Sequence, residues 1–173
     1  MKYFTLQELT RSATASELNI ANVPNPIAKA HLEHLVDTIL DPLRERVGQP
    51  ITVNSGYRCK KLNAAVGGEP NSQHLYGLAA DICLKPEPCV ENYHLGLLLF
   101  DMHNFDQLIF EGCVPHTLLP RWIHVSCVED TQIRRGNLLK RNQGENHYIA
   151  VSALGLADDL RILKNAERMA RKE

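Results

Sequence analysis

Apolar positions set the first frame. In NPIAKAHLEHLVDTILDPLRERVG, Leu32, Leu35, Val36, Ile39, Leu40, Leu43 and Val47 recur at helical spacing. The run is entered through Asn25 with Pro26 at the first helical position, and Gly48 closes it. This pattern predicts the main core helix. Pro42 falls inside it, removing a backbone donor and crowding the preceding turn, so a kink or break near Asp41 is expected. Upstream, Thr5 and Glu8 have the spacing of a capping box, and LQELTRSATASEL reads as one short helix or two turns.

After Gly48 the period shortens. PITVNS is a brief β-rich run, and LAADICL is apolar nearly throughout except for Asp81, the pattern of a central strand carrying one carboxylate. Between them KKLNAAVGG suits a short helix ended by Gly67 or Gly68, and EPNSQHLYG has the composition of an ordered loop, with His74 on or just after a turn. VENYHLGLLLFDMH is expected to be helical. DQLIFE and WIHVS are expected to be antiparallel strands joined by a long connection from Gly112 to Arg121. Beyond Glu129 the chain becomes charged, and Leu154, Leu156, Leu160 and Leu163 form a looser helical stripe for packing or for a partner. The expected fold class is α+β, a small, mainly antiparallel sheet flanked by helices. A domain over residues 1–130 is followed by a C-terminal helical extension over 131–173, packed on the same domain.

Composition narrows the function classes. A chain of 173 residues suits one domain of ordinary size with a real core. A formal net charge of -1 offers no basic field for nucleic acid and no polybasic patch for an anionic membrane. No window approaches about 18 uninterrupted apolar residues, so no membrane insertion is expected. MKYFTLQELTRSATASEL lacks the continuous apolar core of a signal peptide, which leads to the expectation of synthesis in the cytoplasm. The five cysteines are an odd set with no C-x-x-C pair, and they read as reduced, mostly buried thiols.

Asp81 is the anomaly in this pattern. An ionised carboxylate on a buried strand is costly unless a cation or several donors face it. A metal is one such cation: His74 lies seven positions before Asp81, and WIHVS supplies His124 from a distant strand. Two histidines and one carboxylate leave a tetrahedral position open. The plainer alternative is an ion pair between Asp81 and Arg58, with His74 a solvent-exposed loop residue and His124 a satisfied core histidine. Arg58 is otherwise a guanidinium suited to clamping a carboxylate or polarising a carbonyl oxygen.

Several short motifs occur in order between about Phe4 and Cys127: SGYR, LNAAVGG, NSQH, G-x-AADI, DQLI-x-E and WIHVS. Together they resemble the zinc D-Ala-D-Ala carboxypeptidase and endolysin family of murein peptidases. That resemblance implies a D-Ala-D-Ala carboxypeptidase or Hedgehog-like fold with one Zn2+ per chain on His74, Asp81 and His124. It implies that Arg58 contacts the substrate or the oxyanion, that Ser72 and Gln73 line the site, and that Trp122 stands beside the metal as a wall or a substrate platform. The implied substrate is a peptidoglycan stem peptide. A lytic enzyme of phage type, reaching the wall after release, is the matching expectation for where it acts. The alternative from another class is a non-catalytic zinc domain that binds wall peptide or a protein partner.

The general base departs from the better-known pattern. Several branches of the family place an acidic residue three before the last histidine ligand, and here that position is Arg121. This substitution favours the non-catalytic alternative. Strand parity offers a replacement: if DQLIFE and WIHVS pair with Glu111 opposite Trp122, then Gln107, Ile109 and Glu111 share a face with Trp122, His124 and Ser126. Glu111 is then the expected catalytic base, against the bland possibility of an exposed strand-end carboxylate; Asp106 and Glu129 are less well placed. Of the remaining histidines only His116, in the loop before the last strand, has a route to the site.

Overall fold

The computed structural model describes residues 1–171. Its elements in order are α1 (Leu6–Thr10), α2 (Ala13–Glu17), α3 (Pro26–Leu35), α4 (Asp41–Val47), β1 (Thr52–Ser55), α5 (Lys60–Ala65), β2 (Ala79–Cys83), α6 (Val90–Met102), β3 (Gln107–Cys113), β4 (Trp122–Ser126), β5 (Asn137–Asn142), β6 (Ile149–Ala150) and α7 (Ala153–Ala170). The class is α+β. Six strands lie in the order β1-β2-β4-β3-β5-β6, and every neighbouring pair is antiparallel except β3 with β5.

The core helix forms because its apolar stripe has a sheet to cover, and Leu32, Leu35, Val36, Ile39, Leu40 and Leu43 are all essentially inaccessible. Each such side chain contributes roughly 1.5–3 kcal/mol by leaving water. Pro42 does not break the run. A π-helical turn over Val36–Leu40 widens the helix just before it, and the Asp41 N–H reaches back to the Val36 carbonyl. Wide-turn geometry absorbs the missing proline donor, so α3 and α4 continue one another. At the N-terminus Thr5 and Glu8 form the reciprocal capping box their spacing predicts, and two short helices follow.

Pairing fixes which face each strand side chain takes. Asp81 sits opposite His124, which is also opposite Ile109, while Glu111 sits opposite Trp122 and, on its other side, Arg141. Strand alternation therefore puts Asp81, His124, Glu111, Trp122 and Arg141 on one face. The other face presents Ala80, Ile82, Leu108, Phe110, Ile123 and Val125 to the helices. Gly96 in α6 belongs to this contact, since a Cβ there would stand 2.4 Å from the Phe110 ring.

The C-terminal stretch differs from the expected helical extension. Residues 131–173 give β5 and β6 to the same sheet before α7 begins. Their strand signal is weak because every residue of β5 is half-buried, which erases the alternation that a covered strand shows. α7 docks on α6 through buried Leu156 and Leu160, a Tyr93–Asp159 hydrogen bond and Lys164 on Asp101 at 2.9 Å. All five cysteines are free thiols.

Candidate active site

The uncovered face of the sheet forms the floor of a cleft of about 450 Å³ whose lining includes Arg58, Ser72, Gln73, His74, Asp81, Glu111, Trp122 and His124. All eight residues singled out from the sequence thus meet in one place. Sequence-distant elements supply them: the turn after β1 gives Arg58, a 3-10 turn over Gln73–Tyr76 gives His74, β2 gives Asp81, β3 gives Glu111 and β4 gives His124.

His74 is 1% exposed, and its Nδ1 donates to the Gly56 carbonyl at 2.6 Å. That bond leaves the Nε2 lone pair free, and Nε2 is buried with no hydrogen-bond partner, 3.3 Å from Asp81 Oδ1. Gly56 is needed for this arrangement, because a Cβ there would lie 2.2 Å from the Leu9 carbonyl oxygen. Only glycine lets the strand end run so close to α1 and still turn its carbonyl toward the imidazole. His124 places Nδ1 2.9 Å from Asp81 Oδ1, and its Nε2 is likewise buried without a partner. Both imidazoles converge on one carboxylate oxygen, through His74 Nε2 and His124 Nδ1, and each ring keeps a buried nitrogen without a partner, an expensive arrangement unless a cation is held there.

Donor chemistry and spacing fit zinc. Tetrahedral ligands on bonds near 2.1 Å lie about 3.4 Å from one another. The separations of 3.3 and 2.9 Å match that scale, and the donor atoms of all three residues fall within 4.8 Å. Burial pushes the Asp81 carboxyl up, but the flanking imidazoles of His74 and His124 outweigh it and hold the group well below the usual carboxylate range. Arg58 lies farther off, its Nη2 3.8 Å from Asp81 Oδ2. The ion-pair alternative thus accounts for one long contact and leaves both histidines unexplained. The Arg58 Nε–H is itself buried without a partner, and the guanidinium as a whole lines the cleft as a charged donor group.

Glu111 is buried, at 4% exposure, so the exposed strand-end alternative does not describe it. Its register opposite Trp122 is the one that strand parity requires. Burial pushes its carboxyl up, and Arg141, donating from Nε at 2.7 Å, offsets part of the rise. Asp106 has a different occupation. It accepts from the Arg135 backbone N–H at 2.7 Å, the Arg135 Nη2 at 2.6 Å and Gln73 Nε2 at 2.9 Å. With its lone pairs engaged it is a strut, not a base. Gln73 is tied at both ends of its amide, since Oε1 accepts from Arg135 Nη2 at 3.1 Å. Its position beside His74 makes it a brace for that turn as well as a lining residue.

One further expectation, a route to the site for His116, is corrected. His116 lines a separate groove with Leu118, Lys140 and Val151 and does not reach the metal cleft. Arg121 turns to the Pro86 carbonyl, and Glu129 is exposed. Sequence reasoning missed Arg135, Arg141 and Tyr148, which line the cleft from the C-terminal stretch. No spacing signal tied them to it.

A sheet presenting two histidines, one carboxylate and a neighbouring buried acid in a cleft is the arrangement mononuclear metallohydrolases use. A family model described as Peptidase M15 matches residues 2–95, more than half of the chain, and the protein belongs to that family. Over 44 residues the chain is 50% identical to the zinc D-Ala-D-Ala carboxypeptidase of Streptomyces albus G. This stretch is 25% of the chain and spans only 17% of the relative's length. Arg58, His74 and Asp81 fall inside the family match; His124, Glu111 and the C-terminal wall lie beyond it.

Proposed function

We propose that the protein is a zinc peptidase that hydrolyses a peptide bond in peptidoglycan stem peptides, as a D-Ala-D-Ala carboxypeptidase or a murein endopeptidase. The observation that carries this is the convergence of the His74 and His124 rings on Asp81 Oδ1, each ring with a buried unpartnered nitrogen, and the buried Glu111 in the same cleft. Family membership and the name of the similar relative support the substrate class.

His74, Asp81 and His124 would hold the metal, which when bound supplies Lewis-acid polarisation of a carbonyl and acidification of water. Glu111 accepts a proton from the attacking water at its free Oε1 and delivers it to the amine nitrogen as the C–N bond breaks. Burial raises its pKa above the ordinary carboxylate value, which eases the return of the proton in the second half of that exchange. Arg58 donates from its guanidinium to the substrate oxygen that gains charge. Arg135 and Asp106 keep Gln73, and with it the His74 turn, in register. Trp122 walls the cleft beside His124.

A role as a phage-type lytic enzyme acting on the wall after release is part of the same proposal. The test is mass spectrometry of products released from purified peptidoglycan by zinc-loaded protein, beside a His124→Ala control. New stem-peptide termini that vanish in the control support the peptidase; intact sacculi with zinc still bound move the function to wall-peptide binding.

A further inference from the structure

Tyr148 stands in the cleft without an assigned task. It precedes β6, whose register with β5 pairs Lys140 with Ile149 and so brings Tyr148 beside Arg141. The Arg141 guanidinium lies over its ring, 5.5 Å from the centroid, and the same guanidinium holds Glu111 at 2.7 Å. The ring is thus stacked on the group that fixes the base. Among the described residues Tyr148 engages the protein through this stacking and not through its hydroxyl.

The phenol is close enough to the chemistry to feel the charges of Glu111, Arg141, Glu69 and Asp81, and Arg58 in turn feels it. Tyr148 lines the same cleft as Arg58, Glu111 and the metal triad. Burial pushes the phenol above its ordinary value, which keeps its proton on and makes it a donor at neutral pH. Tyr148 is 43% exposed, so its hydroxyl is open to a ligand in the cleft, and a donor free to meet developing negative charge is what an oxyanion hole requires.

We propose that Tyr148 is a catalytic residue that donates its hydroxyl hydrogen bond to the oxygen of the scissile carbonyl as that oxygen gains charge, opposite Arg58. The inference rests on the peptidase function above. Its hydroxyl forms and breaks no covalent bond; it supplies a second donor from a part of the chain outside the family match.

Tyr148→Phe is the informative variant, since it keeps the ring on Arg141 and removes only the donor. The probe is soluble muropeptide prepared from peptidoglycan. Cleavage is followed by mass spectrometry, and binding by the fluorescence of Trp122, the single tryptophan, which lines the same cleft. Removing one such donor lowers kcat by about 10²-fold, with KM, the muropeptide Kd, zinc content and Tm unchanged. Unaltered kcat in Tyr148→Phe overturns the proposal and leaves the peptidase function standing. A fall in kcat/KM matched by an equal loss of muropeptide affinity also overturns it, because the hydroxyl then binds substrate without favouring the transition state. A wild-type protein that binds muropeptides and cleaves none removes the peptidase function, and Tyr148 as a catalytic residue falls with it.

Discussion

Replacing Arg141 by Met isolates the electrostatics of the proposed base. The thioether keeps most of the stem packing and removes the cation that faces Glu111 at 2.7 Å. Breaking a buried pair by deleting one partner costs about 3–5 kcal/mol. Here the Glu111 side chain is 6% exposed but that of Arg141 is 33% exposed. Water screening at the open end cuts the effect to about 1.5–2 kcal/mol. Glu111 escapes most of that cost by holding its proton, and 1.36 kcal/mol corresponds to about one pH unit. The sign follows from the base being active when ionised: activity is present above the folded-state pKa and lost as pH falls through it. Burial already places that limb above the ordinary carboxylate range, and Arg141→Met is expected to move it upward by about one further unit. The assay is kcat/KM for muropeptide cleavage against pH, wild type beside variant, with zinc content checked in both. An acid limb that stays in place refutes the assignment of Glu111 as the group seen in the profile.

Two other outcomes follow from the site. Zinc at 100 times its Kd stabilises the folded chain by about 2.7 kcal/mol, so chelation is expected to lower Tm by about 5–10 °C in a domain of this size. The difference between chelated and zinc-loaded samples in a thermal melt checks it, and His74→Ala, which lacks one donor, is expected to melt alike in both. Gly56→Ala forces the new Cβ off the Leu9 carbonyl, a clash that costs about 1–3 kcal/mol. Because relieving the clash shifts the Gly56 carbonyl, the one that orients His74, zinc affinity is expected to fall about 10–100-fold, read by competition with a chromogenic chelator.

The sequence was informative wherever local pattern and chemistry coincided. Asp81 stood out because a single carboxylate interrupted an apolar strand, and its two histidine neighbours followed from donor type and the family-like motifs. Glu111 was reachable from alternation alone, since the pairing of β3 with β4 placed it on the face of His124. The far wall was not reachable. Arg135 acts through Asp106 and Gln73, residues 29 and 62 positions away. Arg141 sits on a strand whose uniformly half-buried residues leave no alternation to detect. Such partnerships are set by tertiary contact, on which propensity and periodicity carry no information. The π-helical turn before Pro42 has the same character: proline announced an irregularity, and packing chose a widened turn over a break.

The parallel placement of β5 against β3 divides the cleft by origin. Every proposed metal donor and the proposed base are laid down by residue 124, while the cation that restrains the base arrives with Arg141. A chain stopped short of β5 would hold the three donors yet leave Glu111 on a bare sheet edge with no countercharge. The proposed base therefore draws its countercharge from the strands latest in sequence, and those strands are also where the cleft can be re-walled without disturbing the three proposed metal donors.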